Sequence, residues 1–305
     1  MNGAIGIDVS KAVLDVAIHG QSQQKSFPNT PQGHRQLGKW LVSLKPRQVV
    51  LESTGSYDQA VVDALYEAGL PVVRMNPRQV RDFAKATGQL AKTDRLDAFV
   101  LARMGHVLEL PRYTPKADWQ RRLAEWVHRR TQVVEMLVAE RLRLETVHDP
   151  LLRRMVRQHT RQLEQARAQL ELGISEQVRA QPDLQVLRSL KGIGPIMQAT
   201  LACELTELGR LSGKAIAKLV GVAPLARDSG TLRGRRTTWG GRPQVRTPLY
   251  MAALTALRLD PQLQAFYRGL RERGKAAKVA IVAVMRKMLV ILNARMRDHL
   301  AVATA

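Results

Sequence analysis

The chain has 305 residues, enough for two or three domains, and a 45 % hydrophobic content that suffices for packed cores. Its 48 Lys and Arg against 26 Asp and Glu give a net charge of +22 and a pI near 11. An excess of this size points to a polyanionic partner, because each neutralised phosphate releases condensed counterions. One cysteine, Cys203, excludes an internal disulfide framework and any multi-cysteine zinc site. The opening MNGAIGIDVS lacks the regions of a signal peptide, and the apolar stretch Val279 to Leu292 is interrupted by Arg286 and Lys287. A cytoplasmic protein with no membrane role is therefore expected.

Alternation and β-branched residues predict strands over 4–9 and 12–18. The turn Pro28-Asn29-Thr30-Pro31 leads into a helix ending before Lys45-Pro46. A further apolar strand from Gln48 finishes at Glu52, Ser56 starts a helix through Leu65, and Val72-Val73 makes another short strand. Thr93 reads as the N-cap of a helix from Asp94 to about Leu108. Strands alternating with helices predict an α/β domain over residues 1–110, with functional side chains at strand ends.

The pattern changes at Trp119. Positions 119, 123, 126, 130, 133, 137, 140, 144 and 147 alternate steps of four and three, and all but Arg130 and Glu140 are apolar. That is a coiled-coil seam with two polar interruptions, placed in a helical region over 111–182. A hairpin packed within its own chain would satisfy it. Dimerisation is the sharper expectation, and a homo-oligomer, dimer or tetramer, is the expected state.

Residues 183–305 carry 21 basic against 7 acidic residues, a net of +14, compared with +3 for 1–110 and +5 for 111–182. Within them, 187–202 (LRSLKGIGPIMQATLA) reads as two helices hinged at Gly192-Ile193-Gly194-Pro195. A glycine hinge before a helix N-terminus can present backbone N–H groups to a phosphate, so Lys191, Gly192 and Gly194 are candidate nucleic-acid contacts. The hinge resembles the helix-hairpin-helix element of DNA-binding proteins. Helices near 214–220, 245–257 and 275–300 complete a mainly α domain.

Four carboxylates stand out. Asp8 ends one strand, Glu52 ends another, and Asp94 and Asp97 lie three apart on one helix face. Like charges converging on one point need a strong cation between them, and hard oxygen donors select Mg2+ or Mn2+. The seven histidines show no ligand spacing, so zinc is not expected. Asp15, Asp58, Asp63 and Asp82 read as surface charges. The order strand-Asp, strand-Glu, helix-Asp-x-x-Asp resembles the RuvC-type, RNase-H-like nuclease fold, and specifically the DEDD-type transposases of the insertion-sequence-110 family.

Residues 221–254 (GVAPLARDSGTLRGRRTTWGGRPQVRTPLYMAAL) hold Ser229 before Gly230, in a loop dense with Arg227, Arg233, Arg235, Arg236 and Arg242. Arginines there are candidate phosphate grips. Taken alone, Ser229 is an ordinary loop serine, since a hydroxyl needs a base or metal to act and the segment contains no histidine. The resemblance implies more: in that family this loop carries the catalytic serine that links covalently to DNA, and it maps onto Ser229. It also implies double-stranded DNA as substrate and guidance by a structured RNA encoded by the element. Aromatic residues make up only 4 % of the chain, which argues against an extended base-stacking platform. A site-specific DNA invertase has the same chemistry. A RuvC-like structure-specific nuclease would use the carboxylates with water and have no use for Ser229, and a structural nucleoid protein would leave the carboxylates unexplained.

Overall fold

The structure, a computed structural model, describes residues 3–55, 57–89, 94–226, 234 and 236–303, with the side chains of 94–96 and 303 outside the description. It divides into two compact units, residues 1–115 and 116–305.

The first unit is built on a mixed five-stranded sheet of order β3-β2-β1-β4-β5. β1 (Ile5–Val9), β2 (Val13–Ile18) and β3 (Gln24–Pro28) run antiparallel, whereas β4 (Val49–Glu52) and β5 (Val72–Met75) run parallel to β1. The crossovers are α1 (Pro31–Leu44) and α2 (Gln59–Glu67), and α3 (Pro77–Ala86) and α4 (Asp94–Val107) follow β5. β3 carries no alternation strong enough to read in sequence, because only Phe27 in it is buried. Ser56 and Thr93, the expected helix starts, lie outside the described residues; α2 has Asp58 at its N-cap position.

Both faces of the sheet are covered, which the period of two makes legible. Ile5, Ile7, Val9, Val49 and Leu51 join Leu37, Leu41, Val62 and Leu65 of α1 and α2 in one core. Val50, Val73 and Met75 join Val100, Leu101 and Met104 of α4 in another. A mixed sheet clothed this way fits the RNase-H-like expectation for this part of the chain.

The second unit is helical. α5 (Asp118–Thr146) and α6 (Pro150–Arg179) form a hairpin, followed by the 3-10 helix η1 (Pro182–Ser189), α7 (Pro195–Glu204), α8 (Gly213–Val220), α9 (Pro243–Leu259), α10 (Pro261–Glu272) and α11 (Ala277–Ala303). The base of the hairpin shares one core with the later helices, where Leu123, Val127, Ile174 and Val178 meet Leu187, Leu201, Val245 and Leu289. The first arm of the hinge at 192–195 is thus a 3-10 helix rather than an α-helix.

The hairpin uses the seam positions within the chain. Val133 and Leu137 of α5 bury against Leu163 of α6. The two polar interruptions find partners on α6 as well: Arg130 pairs with Glu171 at 2.6 Å, and buried Glu140 lies 3.2 Å from His159. A Lys at Leu137 would therefore break the hairpin itself. Nearer the turn, Val138 and Leu142 of α5 and Leu151, Leu152 and Met155 of α6 stay exposed.

Candidate active site

β1 and β4 are paired in register, Gly6 with Val50 and Ile7 with Leu51, and Asp8 and Glu52 are the next residues along the two strands. Side chains alternate faces along a strand, so Asp8 shares its face with Gly6 and Glu52 shares its face with Val50. That face belongs to α4. A Cβ on Gly6 would stand 2.1 Å from the Ala98 carbonyl oxygen and 2.3 Å from the Ala102 nitrogen. Only glycine lets the helix backbone come so close. At the other end, a Cβ on Gly105 would lie 2.6 Å from Cγ2 of Val50 and 3.2 Å from Cβ of Ala4. α4 consequently runs antiparallel to β1, and its first turn, with Asp97, points toward the C-terminal end of that strand. Asp8, Glu52 and Asp97 are each half-buried. The backbone of Asp94 opens α4, and its side chain lies outside the described residues. Among the described residues no group of three or more His, Cys, Asp or Glu is drawn together closely enough to hold a metal ion.

The loops around this edge are tied down by residues that sequence reading passed over. Ser10 Oγ donates to the Val13 carbonyl at 2.8 Å and accepts from its N–H at 3.0 Å, closing the β1–β2 turn directly after Asp8. Asn29 Nδ2 donates to the carbonyls of Ser10 and Tyr57, and its Oδ1 lies 2.7 Å from His34 Nε2. Burial of His34 pushes its pKa down, so the neutral ring serves as a structural member. Asp58, read as a surface charge, is fully buried and takes two hydrogen bonds from the Arg74 guanidinium, at 2.5 and 3.2 Å. This bidentate pair ties the end of β5 to the loop that leaves Glu52. Asp63 is likewise occupied, with Gln59 and the Tyr113 hydroxyl.

In the second unit, Arg227, Ser229, Arg233 and Arg235 lie outside the described residues. The frame that carries them is described. Leu225 and Thr237 exchange backbone hydrogen bonds of 2.9 and 3.2 Å across the loop. Gly240 and Gly241 both adopt positive φ, +70° and +71°, and a Cβ on Gly241 would fall 2.3 Å from the Gly221 nitrogen. Arg246 donates to the carbonyls of Gly240 and Val220. Arg242, expected as a phosphate grip, instead closes a bidentate pair with Glu207 at 2.6 and 2.7 Å and donates to the Glu204 carbonyl at 2.7 Å. Burial alone would raise the Glu207 carboxyl, yet the Arg242 hydrogen bonds and charge hold it below the usual range. A guanidinium so engaged fixes the loop's base. Arg236 remains exposed.

Lys191 is exposed at the hinge, Gly192 holds a φ of +87° against Ala252 and Ala256 of α9, and Gly194 caps α7 without a side-chain bond. A cleft of about 760 Å3 opens there, and Arg179, Arg188 and Lys191 line it without a carboxylate. Cys203 is buried with its thiol pushed up to about 12 by burial, which makes it inert. Among the described residues no helix is long and apolar enough to cross a membrane.

Residues 5–151, which include Asp8, Glu52, Asp94 and Asp97, match the DEDD family of IS110 type, described as Transposase. Residues 184–268, which include the hinge and Ser229, match the family described as Transposase IS116/IS110/IS902 family. The chain belongs to the IS110 family of transposases. As a family member it is a transposase or recombinase, an enzyme that cuts and rejoins DNA. The pilin gene-inverting protein of Moraxella bovis is 28 % identical over 97 % of this chain and 96 % of its own length, and that of Moraxella lacunata matches to the same extent. An uncharacterized 42 kDa protein of insertion element IS900 from Mycobacterium paratuberculosis is 32 % identical, over 41 % of this chain and 32 % of that protein.

Proposed function

We propose that this transposase breaks and reseals DNA with two chemical parts: a DEDD carboxylate centre in the RuvC-like unit and the Ser229 hydroxyl in the basic unit. The observation that supports the first part is the parallel register of β1 and β4, in which Asp8 and Glu52 follow the Ile7–Leu51 pair on the side that α4 covers, with Asp97 in the first turn of that helix. The donor set is all carboxylate oxygen, with Asp8 and Glu52 half-buried toward the C-terminal ends of parallel strands and Asp97 half-buried on α4, which fits Mg2+ or Mn2+ and not a soft metal. Asp8, Glu52, Asp94 and Asp97 would hold the ion, which when bound supplies Lewis acidity to the reacting phosphate. Ser229 would form the phosphoserine link that conserves the phosphodiester for rejoining. The test is capture of protein–DNA adducts on a denaturing gel, with peptide mapping of the attached residue. Free DNA ends with no adduct would favour a water-using nuclease.

The partition of charge supports assigning binding to the second unit, which has 34 basic against 16 acidic residues, compared with 14 against 10 in residues 1–115. Lys191, Gly192, Gly194 and Arg236, with Arg227, Arg233 and Arg235, are the proposed backbone contacts, the hinge acting as a helix-hairpin-helix element. Residues 116–305 alone should bind duplex DNA and structured RNA with a log–log salt slope close to that of the whole chain, each phosphate contact contributing roughly 0.9 for B-DNA. Equal affinity and slope for residues 1–115 in an anisotropy titration would overturn this assignment. The guide RNA is part of the proposal, since few aromatic residues suit reading of splayed bases along a strand and pairing would supply the sequence choice.

Self-association is assigned to the exposed end of the α5–α6 hairpin. Leu142→Lys with Met155→Lys adds charge where no core is disturbed, and should lower the sedimentation coefficient and recombination together. Unchanged sedimentation would show the hairpin end is not an interface. A second reading, inversion of a segment between two sites, is favoured by the near full-length match to the gene-inverting proteins. Substrates with inverted and direct sites distinguish the two outcomes. Either reaction is placed in the cytoplasm.

A further inference from the structure

A groove of about 410 Å3 opens between the first turns of α5 and the end of α6. Its α5 wall is Trp119, Arg122 and Trp126, at i, i+3 and i+7 on one helix face, and Gln177 and Gln181 stand opposite. Trp126 rests on Gly173: a Cβ there would fall 2.2 Å from Cζ3 and 2.7 Å from Cη2 of the indole. Glycine in mid-α6 costs helix stability relative to alanine, and what it provides here is a seat for a large ring. That contact does not cover the ring, because Trp126 remains 38 % exposed. Trp119 packs on the core as well as lining the groove. Helix packing accounts for Trp119. It does not account for an open indole beside three polar side chains, since Arg122, Gln177 and Gln181 make no side-chain hydrogen bond or ion pair among the described residues.

The chemistry of this wall is specific. An indole face attracts a flat aromatic ring, two carboxamides each offer donors and an acceptor to a ring edge, and a guanidinium takes a phosphate. Glu125 at the rim accepts hydrogen bonds, which suits the exocyclic amino groups of adenine, guanine or cytosine. The volume falls in the ~300–1,000 Å3 range of small-ligand sites. We propose that this groove takes one unpaired nucleobase of the DNA being recombined, stacked on Trp126 with its edge on Gln177 and Gln181 and its phosphate on Arg122. DNA is the occupant because it is the substrate of this enzyme family, and strand exchange requires bases to leave their pairs. A single seat of this kind is compatible with the scarcity of aromatic residues elsewhere.

The test uses the full-length protein with a short single-stranded DNA, RNA of the same sequence, and the corresponding duplex, read by anisotropy and by quenching of tryptophan fluorescence. Trp126→Ala should weaken single-stranded DNA binding roughly 5- to 150-fold and leave duplex binding unchanged, and Trp126→Phe should restore most of it. Ala180→Leu, at an exposed position on the α6 side of the groove, fills the space without removing either indole and should give the same loss. It decides the matter if Trp126→Ala fails to fold. Wild-type single-strand affinity in Ala180→Leu would overturn the site, as would an equal loss on duplex. Groove-dependent binding of RNA tighter than DNA would overturn DNA as the occupant.

Discussion

Replacing Ser229 with alanine should abolish both strand exchange and covalent adducts while leaving DNA and RNA affinity within about twofold, since a single neutral hydroxyl contributes little to phosphate binding. The reasoning is one of bond conservation. Attack by the Ser229 Oγ on phosphorus expels a deoxyribose hydroxyl and leaves a phosphoserine ester, and the reverse attack by a new deoxyribose hydroxyl releases the serine and reseals the strand. Water in the serine's place gives a free phosphate end that cannot be rejoined without an outside energy source. The frame around the loop suits a nucleophile that must be placed: Leu225 and Thr237 bridge its two strands, and Arg242, Arg246 and the Gly240-Gly241 pair fasten its base. Two outcomes sink the assignment: normal cleavage by the alanine protein, or an adduct peptide that maps elsewhere. Arg242→Ala tests the frame separately. It should lower the rate of adduct formation and release Glu207 from its pair, while the mapped residue remains Ser229.

Most of what places the carboxylates was legible in the sequence. Apolar strands ending near Asp8 and Glu52 identified the strand ends, and the Asp-x-x-Asp spacing put two carboxylates on one face of the expected helix. What the sequence left hidden was the partner of each element. Gly6 reads as an ordinary strand residue until α4 is seen resting on it, and nothing local marks Asp58 as buried, because its partner Arg74 is supplied by a strand 16 residues away. The same limit explains Arg242. Within an arginine-rich loop it looks like its neighbours, and only the fold brings Glu207 to it. The seam from 119 to 147 is a periodicity, and a periodicity cannot name its partner. Arg130 and Glu140, which looked like interruptions, are the positions at which α6 answers with Glu171 and His159. The uncovered hydrophobic positions, Leu142 and Met155 among them, are those that the hairpin leaves exposed near its turn.

Asp8→Asn should reduce cleavage and adduct formation by at least roughly 10^2- to 10^3-fold, the scale on which loss of one preorganised electrostatic group slows a reaction. Asn keeps the shape and removes the charge, so the effect reports on charge rather than packing. Glu52→Gln and Asp97→Asn should behave alike, and a chelator should reproduce all three in the wild type. Activity alone would not separate a metal ligand from a residue that merely orders the sheet edge, so a second measurement is needed. A ligand that binds only the folded state raises its stability by RT ln(1 + [L]/Kd), and Mg2+ should therefore raise the thermal midpoint of the wild type but not of Asp8→Asn. Gly6→Ala supplies the contrast. A methyl group there would meet the backbone of Ala98 and Ala102 at 2.1 and 2.3 Å, so α4 must move, taking Asp97 with it. That variant should lose stability even without Mg2+, together with activity, whereas Asp8→Asn should lose the Mg2+ response with a cooperative transition still present. Full cleavage by Asp8→Asn, or cleavage by the wild type that survives complete chelation, would show that these carboxylates hold no catalytic metal.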